Sequence, residues 1–134
     1  MKINSYKYEI LFVTLTQKRS NDLEMLWTLQ DECFTEFRRS FGRKMKKIGV
    51  KWSYVSNKDI TFSKDRRKGI YNLHLHLLVF IKRPLNTVAG LQFISQAKDT
   101  KDKFKAIVGD LWTSIVNKKG HYANQQGQDV QVVS

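Results

Sequence analysis

The amino-acid sequence predicts an α+β domain in which helices pack on one face of a central antiparallel sheet. Three observations support this class. Apolar and β-branched runs typical of strands lie at 8–16, 50–62, 71–82 and 129–134. Two segments with apolar residues at intervals of three and four, the helical period, separate the first strand from the second and the third from the last. The length of 134 residues suits one domain with a substantial core, so residues 1–134 are expected to form a single domain.

The predicted elements follow one another in the order β-α-β-β-α-β. After the first strand, "YEILFVTLT", the stretch "SNDLE" offers Asn21 as the helix N-cap, with Glu24 completing a capping box. The first helix then carries its apolar stripe to near Gly49, and the second helix is expected at 102–119. This order is typical of a ferredoxin-like or RRM-like sheet, whose second face is free to bind a ligand.

The charge of the chain favours a polyanionic partner. It has 24 Lys and Arg against 12 Asp and Glu, a net charge of +12, which points first to nucleic acid and second to an anionic membrane surface. No apolar run approaches the roughly 18 residues that a membrane span needs, and "MKINSYKYEI" lacks the apolar region of a signal peptide. The single cysteine, Cys33, suits a reducing compartment. We therefore expect a cytoplasmic protein without a membrane partner.

The stretch "YNLHLHLLVF", residues 71–80, places His74 and His76 two positions apart in an apolar strand. Strand residues alternate faces, so the two imidazoles project from one side roughly 6–7 Å apart while the leucines take the other. Half-buried imidazoles need polar partners. One interpretation is structural, with one histidine on a backbone carbonyl and the other on water. The second is a metal site, which requires a third ligand and an open coordination position.

Asp59 is the candidate third ligand. It opens the β-rich run "DITF", residues 59–62, which can pair antiparallel with the histidine strand through a turn at "SKDRRKG". In that pairing its carboxylate lies beside His74 and His76 and completes a His-His-Asp set. The alternative is that Asp59 is a solvated residue at the end of the turn-like "SNKD".

Two clusters of basic residues are expected to frame this site and to contact phosphates. The first lies near the end of the first helix: Arg38, Arg39, Arg43, Lys44, Lys46 and Lys47. The second fills the turn before the histidine strand: Lys64, Arg66, Arg67 and Lys68. Helix C-termini favour cations, which accounts for part of the first cluster only. A phosphate backbone would relieve the repulsion in both clusters with release of counterions. Trp52, Tyr54 and Tyr71 either stack on unpaired bases or belong to the core.

The order "FVTLT" (12–16), "DITF" and "HLHLLVF" (74–80) resembles the motifs of the plasmid rolling-circle replication initiators, the Rep proteins of the HUH endonuclease superfamily. The stretch "FISQAKDTKDKFKAIVGDLW" is similar to the helix that follows in these proteins. The resemblance implies a ferredoxin/RRM-like HUH endonuclease domain with Mg²⁺ or Mn²⁺ held by His74, His76 and Asp59. It also implies that Thr14 and Thr16 of the first motif contact DNA.

The resemblance further implies an activity. Such enzymes bind single-stranded or hairpin DNA at a replication origin, and a tyrosine attacks the scissile phosphate, leaving a 3′-OH and a 5′-phosphotyrosine link. The metal polarises a non-bridging phosphate oxygen and stabilises the charge of the transition state. The protein would then be a nickase that initiates rolling-circle plasmid replication, with host replication proteins as further partners.

The nucleophilic tyrosine is where the sequence departs from the family pattern. The family carries it on a helix beyond a strand that corresponds to "DVQVV", with a lysine a few residues later. None of the five tyrosines has that context: Tyr6, Tyr8, Tyr54, Tyr71 and Tyr122. We therefore expect a chain that is truncated before the tyrosine motif or has lost it, with Tyr122 in "GHYANQQG" as the first substitute to test.

Two other functions fit the same residues. One is a single-tyrosine HUH transposase, which would share the fold and the metal site. The other is a non-catalytic RRM-like nucleic-acid-binding module whose histidines are structural. The separation of Gly49 from Asp59 is also longer than in the replication initiators, a second departure from the family pattern that weakens the assignment of Asp59.

Overall fold

The strands and helices occur in the predicted order. A computed structural model describes residues 6–65, 68–84 and 97–133. In this part of the chain the elements are β1 (Tyr6–Thr16), α1 (Leu23–Lys47), β2 (Lys51–Asp65), β3 (Lys68–Pro84), α2 (Ala97–Lys118), a short 3₁₀ turn (Gln125–Gly127) and β4 (Asp129–Val133). The predicted α+β class with an antiparallel sheet is confirmed.

The sheet has four strands in the order β2-β3-β1-β4, and every neighbouring pair is antiparallel. The pairing of β2 with β3 continues from Lys51↔Lys82 to Asp65↔Lys68, so most of the expected turn "SKDRRKG" belongs to a longer hairpin. Its charged residues, which favour a turn by composition, are tolerated because β2 is an edge strand of the described sheet.

The hydrophobic core lies between one face of the sheet and the two helices. Alternate residues of the central strands are buried on this face, including Val13 and Leu15 of β1 and Leu75 and Leu77 of β3. They meet a fully buried helical layer that includes Phe41, Phe104 and Trp112. The intervening strand residues therefore point to the opposite face, which neither described helix covers.

The start of α1 differs from the prediction by one residue. Asp22, and not Asn21, is the N-cap: its Oδ1 accepts a hydrogen bond of 3.0 Å from the Met25 backbone N–H. The backbone of Ser20 pairs with Tyr71 of β3 in both directions, at 3.1 and 2.8 Å, which fixes the entry of the chain into the helix. The helix ends where expected, because Gly49 adopts a φ of 75° just beyond it.

The two helices are amphipathic, with buried aromatic residues toward the sheet and charged residues on the outer side. α2 begins at Ala97, five residues before the expected 102, and ends at Lys118. Neither helix in the described part of the chain combines the length and the apolar character that a membrane span requires.

Candidate metal centre

The open face of the sheet carries two rows of polar side chains across β1, β3 and β2. One row is Thr16, His74 and Asp59, and the other begins with Thr14 and His76. Directly opposed residues of antiparallel strands project on the same face, so each row is a set of neighbours. The predicted pairing of the "DITF" run with the histidine strand is confirmed and puts Asp59 opposite His74.

The two imidazoles lie side by side, with ring centroids 6.2 Å apart and ring planes inclined by 21°. This separation agrees with the 6–7 Å expected of alternate strand residues. His76 Nδ1 lies 3.2 Å from Thr14 Oγ1, and the Phe12 ring stacks on the imidazole at 5.6 Å. Thr14 and Phe12 therefore fix the orientation of His76 and leave its Nε2 toward β2.

Asp59 approaches the same histidine. Its Oδ2 lies 3.8 Å from His76 Nε2, and its side chain is 56% exposed, against 28% for His76. The distance exceeds that of a direct hydrogen bond. The carboxylate thus lies on the open face with both imidazoles, and it makes no direct hydrogen bond to His76 Nε2.

The donor types of His74, His76 and Asp59 fit a divalent metal. Two imidazole nitrogens and one carboxylate form a mixed N/O set that Mn²⁺ accepts, with positions left for water or a phosphate oxygen. Over residues 6–65, 68–84 and 97–133, no three His, Cys, Asp or Glu side chains are already close enough to hold an ion. Binding would therefore require His74 and Asp59 to turn toward His76 Nε2, and the exposure of Asp59 leaves its carboxylate room to do so.

The surroundings of His74 favour its neutral form, which is the form that binds a metal. Burial lowers its pKa from the ordinary value of 6.5, the neighbouring His76 lowers it further, and Asp59 opposes both effects. His74 is therefore neutral at neutral pH, the state in which an imidazole nitrogen binds a metal.

A cleft of about 680 Å³ adjoins the histidine row. His74 and Thr16 form its side toward the sheet, Lys18 and Arg19 line it from the β1–α1 loop, and Tyr122 lines it from the segment that follows α2. The hydroxyl of Thr16, which is expected to contact DNA, donates a hydrogen bond to the Gly127 carbonyl at 2.7 Å. Sequence reasoning missed Lys18 and Arg19, although their position one residue after "FVTLT" could have revealed them.

The basic cluster of α1 lies away from the histidines. α1 packs on the leucine face, the side of the sheet that carries Leu75 and Leu77. The basic residues of α1 therefore lie on the opposite side of the sheet from the histidines: Arg38, Arg39, Arg43 and Lys44. This arrangement corrects the expectation that the cluster frames the site. Arg38 is also engaged within the fold, since its guanidinium donates to the Tyr54 hydroxyl at 3.0 Å and lies over the Phe34 ring.

The structure describes only part of the second basic cluster, which precedes the histidine strand. Lys64 is exposed near the end of β2, whereas Arg66, Arg67 and the side chain of Lys68 lie outside the described residues. Among the aromatic candidates, Trp52 and Tyr54 are partly buried against the core rather than displayed on the open face. The Trp52 ring packs edge-on against Phe41 at 4.8 Å.

No protein-family model matches the sequence, and no curated protein matches it either. The case for a function therefore depends on the arrangement of the residues themselves.

Proposed function

We propose that this chain is a metal-dependent HUH-type endonuclease domain that nicks and rejoins single-stranded DNA at a replication origin and so initiates rolling-circle plasmid replication. One observation carries the proposal: the register of β1, β3 and β2 brings His74, His76 and Asp59 together on the sheet face that the described helices leave open. The strand order β2-β3-β1-β4, with both helices on the other face, also supports a ferredoxin/RRM-like HUH domain.

In this function His74, His76 and Asp59 would hold Mg²⁺ or Mn²⁺. The bound ion would supply Lewis-acid polarisation of a phosphate oxygen. Thr14 would act through its 3.2 Å contact with His76 Nδ1, because a partner on one ring nitrogen orients the other toward the ligand site. The strand transfer would pass through a 5′-phosphotyrosine link, whose tyrosine we leave unassigned.

The partner would be single-stranded or hairpin DNA. A net charge of +12 supplies long-range attraction for a polyanion, and exposed Lys18 and Arg19 lie at the cleft beside His74. Host replication proteins are further proposed partners, as the replication-initiator function would require them.

The test couples DNA binding to the metal. The affinity for a labelled single strand is measured with Mn²⁺ and with EDTA, in the wild-type protein and in His74→Ala/His76→Ala. We expect Mn²⁺ to tighten binding in the wild type, because an ion that ligates a phosphate oxygen and the protein strengthens both contacts reciprocally. The double variant should keep its affinity in EDTA and lose the response to Mn²⁺. A wild-type protein indifferent to Mn²⁺ would reject the metal-dependent function.

A non-catalytic RRM-like module is the second candidate. It is favoured by the contacts of His76, which already has Thr14 on Nδ1 and the Phe12 ring on its face, as a structural histidine would. The same experiment separates the two candidates, since this module would bind DNA equally with Mn²⁺ and with EDTA. A single-tyrosine transposase would respond as the nickase does, and the DNA that flanks the gene distinguishes those two.

A further inference from the structure

We propose that the cleft beside His74 holds one unpaired nucleotide of the bound strand, with the Tyr122 ring stacked on its base and with Lys18 and Arg19 neutralising its phosphates. The inference rests on the proposed function, which supplies the strand that passes the histidine pair. In this proposal the cleft positions the nucleotide next to the target phosphate.

Tyr122 is an exposed aromatic ring on an anchored backbone. The residue is 54% exposed, and its ring contacts no other aromatic ring within the described part of the chain. Its carbonyl accepts a hydrogen bond of 2.7 Å from the Lys18 N–H. The next residue, Ala123, is held in both directions by the Asn117 amide, at 3.4 and 3.3 Å. An exposed ring carried on a backbone that is held in this way is suited to stack on a base of any sequence.

The other wall of the cleft is fixed as well. Gln17, which precedes Lys18, is buried and donates to the Leu73 carbonyl of β3 at 3.0 Å. The imidazole of His121 contacts the Lys18 carbonyl at 2.8 Å. The β1–α1 loop and the segment after α2 are thus tied to each other and to the sheet, so the cleft is built into the fold.

The charge and size of the cleft fit a nucleotide. Its described lining includes Lys18 and Arg19 and no Asp or Glu, which favours an anion. The Asn72 amide offers a donor and an acceptor to the edge of a base. The Asn124 amide offers its NH₂ group as a donor, because its oxygen already accepts from the Gly127 N–H at 2.8 Å. The volume of about 680 Å³ lies within the range of about 300–1,000 Å³ that is typical of ligand pockets.

The cleft is continuous with the candidate metal centre. His74 lines the cleft and also lies opposite Asp59 in the row across the sheet. A strand with one phosphate at the histidine pair would therefore place a neighbouring nucleotide in the cleft.

The experiment compares Tyr122→Ala with Tyr122→Phe. A short fluorescein-labelled oligothymidylate is titrated with the 134-residue chain in EDTA, and the affinity is read from fluorescence anisotropy. We expect Tyr122→Ala to weaken binding about five-fold to a hundred-fold, the effect of losing one stacked base. Tyr122→Phe should bind like the wild type because it keeps the ring. The control Trp27→Ala removes another exposed ring, 42% exposed, from α1 behind the sheet, and should change nothing.

A second probe tests stacking directly. Oligothymidylates with a single abasic site are compared at each position along the strand. When the abasic site falls in the cleft, the difference in affinity between wild type and Tyr122→Ala should disappear, because there is no base left to stack. A difference that persists at every abasic position would overturn the proposal.

Three other results would overturn it. One is equal affinity of the wild type and Tyr122→Ala. Another is an equal loss in Tyr122→Ala and Tyr122→Phe, which would make the hydroxyl, and not the ring, the group that matters. The third is a wild-type protein that does not bind the oligothymidylate. Because the titration contains EDTA, an effect of Tyr122 can persist where the response to Mn²⁺ fails, and the reverse can also occur.

Discussion

At the scale of single residues, the site depends on strand alternation. His74 and His76 face the open side while Leu75 and Leu77 are buried in the core, and this division follows from the sequence alone. The identity of the residue that contacts His76 Nδ1 does not follow from the sequence alone. Thr14 is 62 residues away along the chain, and only the register of β1 on β3 brings its hydroxyl to the imidazole.

Thr14→Val tests the orientation of His76. Valine keeps the shape of threonine but removes the hydroxyl at Nδ1, so we expect Mn²⁺ affinity to fall about 10–100-fold, the usual cost of losing a partner of a ligating histidine. Calorimetric titration measures the affinity. The control Thr61→Val removes an exposed hydroxyl from β2 and should leave it unchanged. Equal Mn²⁺ affinity in Thr14→Val and wild type would remove Thr14 from the site.

Cys33 gives a pH prediction at the same scale. Burial raises the pKa of its thiol from 9.0 to about 11, with nearby Lys119 opposing the change. An unfolded chain therefore loses this proton near pH 9 while the folded chain keeps it, so the thiol makes folding less favourable as pH rises from 9 toward 11. Urea unfolding across this interval should show a shallower loss of stability in Cys33→Ala than in wild type. Rapid alkylation of the folded protein at pH 9 would contradict the burial.

At the scale of elements, the order of strands and helices was predictable and several ends were not. The apolar periodicities define β1, α1, β2, β3, α2 and β4 in their observed order. The β2–β3 hairpin is longer than predicted. The charged sequence "SKDRRKG" is typical of a turn, although an edge strand accepts charged residues on both faces. Both Asn21 and Asp22 are good N-caps, and the backbone pairing of Ser20 with Tyr71 selects the second.

Asp22→Ala should therefore destabilise the protein by about 1 kcal/mol, within a range of roughly 0.5–2 kcal/mol, because the Met25 N–H loses its acceptor. The free energy of unfolding is obtained from urea titration followed by circular dichroism. Asn21→Ala is the matched control and should cost much less. A larger loss in Asn21→Ala than in Asp22→Ala would show that the helix begins one residue earlier.

At the scale of the whole molecule, the sheet separates two surfaces. The leucine face carries α1 and α2, together with the basic cluster of α1, and the open face carries the histidines and the cleft. Composition gives the net charge of +12 but not its distribution, which depends on which face each helix covers. The sequence thus proposes donor residues for the candidate site, whereas the basic cluster of α1, which was expected to frame that site, lies on the other face of the sheet.

The salt dependence of DNA binding follows from this distribution. The affinity of the wild type for single-stranded DNA should fall steeply between about 50 and 200 mM salt, since several cations neutralise phosphates. Arg39→Gln/Arg43→Gln, on the helix side, should leave the slope of log affinity against log salt unchanged. A slope smaller by about two would show that DNA reaches around to α1.

Binding of Mn²⁺ tests the central claim, that His74, His76 and Asp59 form one metal centre, most directly. Isothermal titration calorimetry should give one Mn²⁺ per chain in the wild type and in His121→Ala, which alters the third histidine of the chain. Asp59→Asn should weaken binding, and His74→Ala/His76→Ala should abolish it. Unchanged Mn²⁺ affinity in that double variant would contradict the account.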